Sequence, residues 1–311
     1  MQLRRVPMQK RIVIVIAIVL GLLVLLRVIA FFFQAHKPNT PQNTEIRAER
    51  SAPNAKCPNT FMSWNLENFG TSKTDEAIER MAEILSVADI VAVQEVTAGK
   101  DHGIQAVAKL ADALSRKGAK WDYIVSEPTM PPSPGVERYA YLWKTHRVSV
   151  NRREAHLVHE LEEAIDREPY EVTFEISGSG AVQIFTIHTV PTAKHPINEI
   201  KVLTAAHELK SAQKAIVAGD LNLGPNDTDA YFEQAGFVGH IDALTSLGAK
   251  MHGERYFAKQ YDNIYTKGVK VCSSGVVDFV KTYYSPPNNA KLHDAREVSD
   301  HAPVVMTFGF N

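Results

Sequence analysis

The pattern of apolar and polar positions changes at about residue 60. From there onward, short β-branched and aromatic runs alternate with stretches of helical periodicity, which is typical of a mixed α/β domain. One such stretch places Ile78, Met81, Ala82 and Leu85 on a single apolar stripe. Strands are predicted over residues 61–65, 89–93, 121–125, 139–143, 147–150, 170–176, 182–188, 215–218, 262–266, 276–280 and 303–308.

Helices are fewer than strands in this pattern. A second stripe is predicted from Ile104, Val107, Ala108 and Ala111, and a third helix from Pro196, since proline is tolerated in a first helical turn. The number of predicted strands is too large for one sheet. We therefore predict an α+β catalytic domain over residues 59–311, built as a four-layer α/β/β/α sandwich in which two packed mixed sheets are flanked by helices.

The first 58 residues follow a different pattern. Residues 1–11 are basic, residues 12–33 form an apolar run interrupted only by Arg27, and residues 34–58 read as a polar linker containing several prolines. The apolar run, about 22 residues, can cross a bilayer as a helix. A cleaved signal peptide is the alternative, but the run is long for one and no small-x-small cleavage site follows it. We expect an uncleaved transmembrane anchor.

Charge predicts the orientation of this anchor. Four basic residues precede the run, whereas only Lys37 lies close after it, which predicts a cytoplasmic amino terminus and an extracytoplasmic catalytic domain, periplasmic in a bacterium. The chain has 34 basic and 35 acidic residues, and its first fifty residues contain eight of the basic and two of the acidic ones. The remaining 26 basic and 33 acidic residues give residues 51–311 a net charge of −7, which excludes a strongly basic surface.

The two cysteines, Cys57 and Cys272, both belong to the predicted extracytoplasmic part. A disulfide persists in an oxidising compartment, so the two can form an intramolecular bridge. Two unrelated thiols are the alternative.

Acidic, amide and imidazole side chains cluster at the ends of the predicted strands. They are Asn65, Glu67, Gln94, Glu95, His188, Asp220, Asn222, Asp262, Asp300 and His301. Any single one has an ordinary explanation as a turn or cap residue. Half a dozen strands that each deliver such a group indicate one site, because converging strand ends hold side chains rigidly.

These residues also carry a family resemblance. From about residue 60 to residue 308, the order and spacing of six motifs resemble those of the endonuclease/exonuclease/phosphatase superfamily: residues 65–69, 94–95, 188–189, 219–222, 261–262 and 299–301. Local segments favour its deoxyribonuclease I-like nucleases over its lipid-head-group phosphatases: residues 68–70, 125–128, 137–139, 167–170 and 188–191.

The resemblance implies metal-dependent hydrolysis of phosphodiesters. Hard oxygen ligands suit Mg²⁺ or Mn²⁺, and the implied ligands are Glu95, Asn65 and Asp300, with Asp220 as a further contributor. The resemblance also pairs His188 with Glu137 and His301 with Asp262. One histidine would take a proton from water and the other would serve the departing oxygen, in an order that the sequence leaves open.

Two further groups complete the predicted site. Asp220 and Asn222 are two residues apart, so in an extended segment they would project from one side to orient water and bind a phosphoryl oxygen. Arg167 is a candidate phosphate clamp, with a surface arginine as the alternative reading.

Some positions depart from the animal nuclease. Gly135, Thr97 and Glu67 replace a tyrosine and two arginines, and residues 151–166 replace its acidic calcium loop. These changes remove contacts to duplex DNA, so single-stranded DNA, RNA and damaged duplexes stay open as substrates, and calcium dependence is not carried over.

We expect a DNA endonuclease that acts outside the cytoplasm. One alternative is the same chemistry on a phospholipid, as in sphingomyelinases or phosphoinositide phosphatases; it would favour an apolar loop beside the site, and the sequence shows no convincing loop of this kind. The other alternative is a non-catalytic binding protein, against which a competent residue type fills every expected catalytic position.

Overall fold

The computed structural model describes residues 56–99, 102–129 and 136–310. Its strands are β1 Asn59–Phe69, β2 Ile90–Thr97, β3 Trp121–Val125, β4 Glu137–Lys144, β5 Val148–Val150, β6 His156–Leu157, β7 Tyr170–Ile176, β8 Gly180–His188, β9 Ala215–Asp220, β10 Val238–Gly239, β11 Ser246–His252, β12 Arg255–Lys259, β13 Asp262–Lys267, β14 Lys270–Val276 and β15 Val304–Gly309. Its α-helices are α1 Asp75–Leu85, α2 His102–Ser115, α3 Ile197–Ala205, α4 His207–Ser211, α5 Pro225–Gln234, α6 Phe279–Tyr283 and α7 Asn289–Val298.

Two mixed sheets form the centre of the domain. The first has the order β14-β15-β1-β2-β4-β3, and the second has the order β10-β13-β9-β8-β7-β5 with β6 beside β7. Each is mixed because it contains one parallel pair, β1 with β2 and β8 with β9. The sheets meet face to face, and the Tyr141 hydroxyl of the first donates to the carbonyl oxygen of Ile184 in the second at 2.9 Å.

Side-chain alternation along β8 separates the layers. Ile184 belongs to the core between the sheets, whereas Phe185 and Ile187 belong to a second core that they share with Ile200 of α3 and Phe232 of α5. Successive residues of a strand point to opposite faces, so β8 is buried on both. The predicted arrangement of two packed mixed sheets with helices is confirmed.

The helices follow the predicted periodicity with one shift. α1 begins after Thr74, whose hydroxyl accepts from the Ala77 amide at 3.1 Å, and it buries the predicted stripe. α2 buries Val107 and Ala111 of its predicted stripe, but the buried face is turned toward Gly103, Ala106 and Leu110, and Ile104 is half-exposed. The cause is Gly103, where a Cβ atom would lie 2.2 Å from the Thr97 carbonyl oxygen, so this face of α2 approaches β2 closely.

Two parts of the strand prediction are wrong. Residues 276–280 were expected to be a strand, but β14 ends at Val276 and α6 begins at Phe279. Asp278 caps that helix by accepting from the Lys281 amide at 3.0 Å, which offsets the β-branched character of the segment. The hairpin of β11 and β12 was not predicted, because its Gly, Ala and Lys residues lack the usual composition of a strand.

The predicted basic segment 1–11, the anchor 12–33 and most of the linker 34–58 lie outside the described residues. Among the residues that are described, no helix has the length and apolar character needed to cross a bilayer. Cys57 and Cys272 form a disulfide that joins the chain just before β1 to β14, so the predicted bridge is confirmed.

Candidate active site

The site lies where the ends of several strands meet. Pairing between strands sets Asn65 opposite Gln94, His188 opposite Asp220, and Asp220 opposite Asp262. Gly219 permits this approach, because a Cβ atom there would lie 1.9 Å from the Ile187 carbonyl oxygen.

These ends surround a cavity of about 610 Å³. It is lined by eight of the predicted site residues: Glu95, Glu137, Arg167, His188, Asp220, Asn222, Asp300 and His301. Asn65 and Asp262 are fully buried behind this lining and hydrogen-bond to it. The structure therefore brings all ten predicted site residues together.

The first histidine is held by a carboxylate. Nδ1 of His188 lies 2.8 Å from Oε2 of Glu137, while its Nε2 lies 3.6 Å from Oδ2 of Asp220. Burial acts to lower the pKa of His188, but the negative charges of Glu137 and Asp220 outweigh burial and hold that pKa above its usual value. Because Glu137 bonds to Nδ1, Nε2 is the nitrogen directed at Asp220.

The second histidine has the same arrangement. Nδ1 of His301 lies 2.7 Å from Oδ2 of Asp262, and its Nε2 lies 3.5 Å from Oδ2 of Asp220. Burial opposes protonation here too, yet Asp262 and Asp220 raise the pKa of His301 well above its usual value. The two imidazoles approach one Asp220 oxygen from different segments, the end of β8 and the segment before β15.

Asp220 is buried and remains ionised between them. Its Oδ2 accepts from the Asn65 side-chain amide at 3.1 Å, and its Oδ1 accepts from the Asn222 backbone amide at 2.9 Å. Burial acts to raise the pKa of Asp220, but the positive charges of His301 and His188 outweigh it, so that pKa lies below its usual value.

The backbone of Asn222 differs from the prediction. Its φ of 50° lies in the left-handed region, so the segment from Asp220 is a tight turn and not extended. The Asn222 side-chain amide donates to the Thr189 carbonyl at 3.1 Å. Both residues still line the cavity, because the turn directs them there in place of the expected strand alternation.

The carboxylates around Glu95 fit a cation. Glu95 accepts from the side-chain amide of Asn65 at 2.9 Å and from the backbone amide of Asn68 at 2.8 Å. Burial raises the pKa of the nearby Glu67, and the negative charges of Asp300 and Glu95 raise it further. Oxygen-rich negative charge of this kind is what Mg²⁺ or Mn²⁺ binds, so the residues present suit such an ion.

The predicted ligands contribute in different ways. Glu95 and Asp300 face the cavity, whereas Asn65 directs its amide nitrogen at Glu95 and Asp220 and its oxygen at the Glu67 backbone amide, 2.9 Å away. Asn65 therefore links the two sides of the site in this structure. Its role as a metal ligand stays a prediction.

Arg167 lines the cavity but is largely occupied by the protein. Its guanidinium donates to the carbonyl oxygens of His188 and Thr189 and to Oε1 of Glu137, the last at 3.1 Å. These bonds fix the strand end that carries His188. The structure favours such a positioning role over the predicted phosphate clamp, because three donors are already directed at protein acceptors.

Several supporting residues were not predicted as part of the site. The Tyr139 hydroxyl joins the His188 amide, at 3.0 Å, to the Arg167 carbonyl. Thr245 accepts from the Asp262 amide at 3.0 Å, and Ser299 donates to the Asn65 carbonyl at 2.6 Å. Ser299 and Tyr139 stand inside segments that carry the family resemblance, but no local pattern marks Thr245.

Potential ligand atoms within 4.8 Å of one another occur in two groups of the described residues. Asp220, Asp262 and His301 form one, at the floor of the site. His159, Glu162 and Glu168 form the other, and none of them lines the cavity.

The family model described as "Endonuclease/Exonuclease/phosphatase family" matches residues 62–301, which carry this whole arrangement. The chain belongs to this family. Deoxyribonuclease-1 of Canis lupus familiaris is 37% identical over 91 residues, or 28% of this chain and 31% of that protein. The match thus spans under a third of the curated relative, and it supports the resemblance to deoxyribonuclease I-like members.

Solved structures share the fold. The mannosyl-6-phosphatase Bt3783 of Bacteroides thetaiotaomicron VPI-5482 matches with a TM-score of 0.59 and 18% identity over 81% of this chain and 100% of that one. TDP2 of D. rerio, complexed with single strand DNA product, matches with a TM-score of 0.55 and 16% identity over 82% of this chain and 100% of that one. At these identities the likeness concerns the fold alone, which family members with different substrates share.

Proposed function

We propose that this protein is a divalent-metal-dependent phosphodiesterase that hydrolyses nucleic acid, and specifically a DNA endonuclease. One observation carries the proposal. Nε2 of His188 and Nε2 of His301 lie 3.6 and 3.5 Å from the same Asp220 oxygen, and each imidazole is backed by its own carboxylate. Two such groups around one acid provide both proton transfers that phosphodiester hydrolysis requires.

The reaction needs a nucleophile and a leaving-group proton. One histidine accepts a proton as a water oxygen bonds to phosphorus, and the other donates a proton to the ester oxygen as its bond to phosphorus breaks. Glu137 and Asp262 fix the two tautomers, and the negative charge of Asp220 faces both rings. A divalent ion at Glu95 and Asp300 would supply charge stabilisation for the phosphoryl oxygens.

The choice of nucleic acid rests on two observations. The identity to Deoxyribonuclease-1 is 37% over 91 residues. In addition, the large hydrophobic residues exposed in the described part of the chain are Val238 and Tyr283, neither of which lines the cavity. A phospholipid substrate would favour an apolar rim that contacts the bilayer.

The proposed setting is the extracytoplasmic side of a membrane, with residues 12–33 as the anchor. The disulfide between Cys57 and Cys272 supports it, because disulfides persist in oxidising compartments. Protease added to intact spheroplasts is expected to degrade the catalytic domain. Protection of the domain until the cells are lysed would overturn this setting.

Hydrolysis on a substrate panel tests the function. The purified full chain is incubated with plasmid, single-stranded DNA, RNA, sphingomyelin and phosphoinositide, in Mg²⁺, in Mn²⁺ and in EDTA. Metal-dependent cleavage of DNA is expected, with loss in His188→Ala and His301→Ala. Hydrolysis of lipid alone, or activity equal in both variants, would overturn the assignment.

A further inference from the structure

The hairpin of β11 and β12 forms one wall of the cavity. In the described ranges these two strands pair with each other and with no strand of the two larger sheets. Six of its residues line the cavity: Ser246, Leu247, Gly248, Ala249, Ala258 and Lys259. Four of the six have small side chains, so a polymer that leaves the cavity on this side can lie close to the hairpin backbone.

The base of the hairpin is bonded to the catalytic segment. The Leu247 amide donates to the Asp300 carbonyl at 2.6 Å, and the Ala302 amide donates to the Thr245 carbonyl at 2.8 Å. The tip is held as well, since the Met251 amide donates to Oδ1 of Asn289 in α7 at 2.8 Å. An isolated two-stranded hairpin is marginal in water, so these bonds fix its position relative to His301.

The hairpin presents cations that have no ion-pair partner among the residues that the structure describes. Lys250, Arg255 and Lys259 are exposed, and residues 246–259 contain one acid, Glu254. Within the described ranges, none of these three cations has an ion-pair partner. Several other exposed cations do have one: Lys109 with Asp75, Arg116 with Glu79 and Arg152 with Asp122.

This local charge opposes that of the domain, because residues 51–311 have 26 basic and 33 acidic side chains. Unpaired cations keep their full attraction for an external anion. Along the five residues of β12, from Lys259 at the base of the hairpin to Arg255, the strand extends about 13 Å, a length that covers several successive phosphates.

We infer that the hairpin is a secondary binding surface for the phosphate backbone of the nucleic acid strand, beyond the phosphate being cleaved. The inference rests on the proposed function and adds a basis for preferring polymers over small phosphodiesters. Lys259 at the base serves the phosphates beside the cavity, and Arg255 and Lys250 serve more distant ones. A bilayer fits this surface less well, because Tyr256, Phe257 and Met251 are half-buried against the protein.

The test removes the two hairpin charges that do not line the cavity. The full chain carrying Lys250→Gln and Arg255→Gln is compared with a matched control that loses two exposed lysines, one just before β3 and one at the start of β14, neither of which lines the cavity: Lys120→Gln and Lys270→Gln. Steady-state kinetics are measured on single-stranded DNA and on bis(p-nitrophenyl) phosphate, and DNA binding in EDTA is measured by fluorescence anisotropy.

The hairpin variant is expected to raise KM for DNA by at least about tenfold and to keep kcat and hydrolysis of the small diester. Each phosphate contact contributes about 0.7 to the slope of log affinity against log salt for a single strand, so the loss of two contacts should lower that slope by about 1.4. The control should change neither quantity.

Equal KM, slope and anisotropy in the two variants would overturn the inference. Equal loss on DNA and on the small diester would do the same, because it would show damage to the cavity. If the unsubstituted chain cleaves no nucleic acid, the proposed function fails, and anisotropy still decides whether the hairpin binds DNA. Hairpin-dependent binding to phosphatidylserine vesicles without DNA binding would assign the surface to lipid.

Discussion

Replacing Asp262 by asparagine tests the link between carboxylate and imidazole most directly. The two side chains have the same shape, and Asp262 is buried with its Oδ2 2.7 Å from Nδ1 of His301. The substitution therefore removes a charge while leaving an oxygen in place. A hydrogen bond to a charged group contributes about 1.5 to 3 kcal/mol.

If that energy acts in the transition state, the loss is about 10- to 150-fold, since about 1.4 kcal/mol corresponds to a factor of ten. The decrease should fall on kcat and leave KM unchanged, because Asp262 lies behind His301 and does not line the cavity. The fold should persist. Burial raises the pKa of Asp262, which means that burying its charge costs free energy, and the neutral amide avoids that cost.

The assay is steady-state hydrolysis of bis(p-nitrophenyl) phosphate in Mg²⁺, with thermal unfolding followed by circular dichroism. The matched control is Asp229→Asn, another hydrogen-bonded aspartate, which accepts from the Tyr265 hydroxyl at 2.7 Å outside the cavity. A folded Asp262→Asn protein with kcat within about threefold of the parent would refute the reasoning, as would an equal loss in the control.

Three further outcomes are expected. Glu199 accepts from the Asp166 and Val190 amides, both at 2.8 Å, and so joins the segment before Arg167 to the segment that follows His188. Glu199→Ala should therefore lower kcat by more than about tenfold in hydrolysis assays, and Glu199→Gln should restore part of the lost activity. Removing the disulfide with Cys57→Ala and Cys272→Ala should lower the free energy of unfolding by about 2 to 5 kcal/mol in urea titrations, whereas an unchanged urea midpoint would contradict this. Burial lowers the pKa of His240, so as the pH falls the imidazole is protonated in the unfolded chain before it is protonated in the folded one. The free energy of unfolding should therefore decrease as the pH drops below about 6.5 toward the lower folded-state pKa, and His240→Asn should reduce this dependence on pH.

Patterns with local causes could be predicted from the sequence. The stripe of α1 follows from helical periodicity, and most strands follow from β-branched runs. The two histidine–carboxylate pairs came from the family resemblance, and both are present at hydrogen-bonding distance.

The remaining features depend on contacts between distant segments. Arg167 is directed at carbonyl oxygens 21 and 22 residues away, and Asn222 bends because Asp220 accepts its amide. The hairpin at Ser246 was missed because its position comes from bonds to the segment at Asp300 and not from its own composition. The chain alone therefore determined which groups do chemistry, through spacing and residue type. Only the folded structure decided which of them face the cavity and which hold the others, since burial and hydrogen-bond partners arise when both sheets have packed.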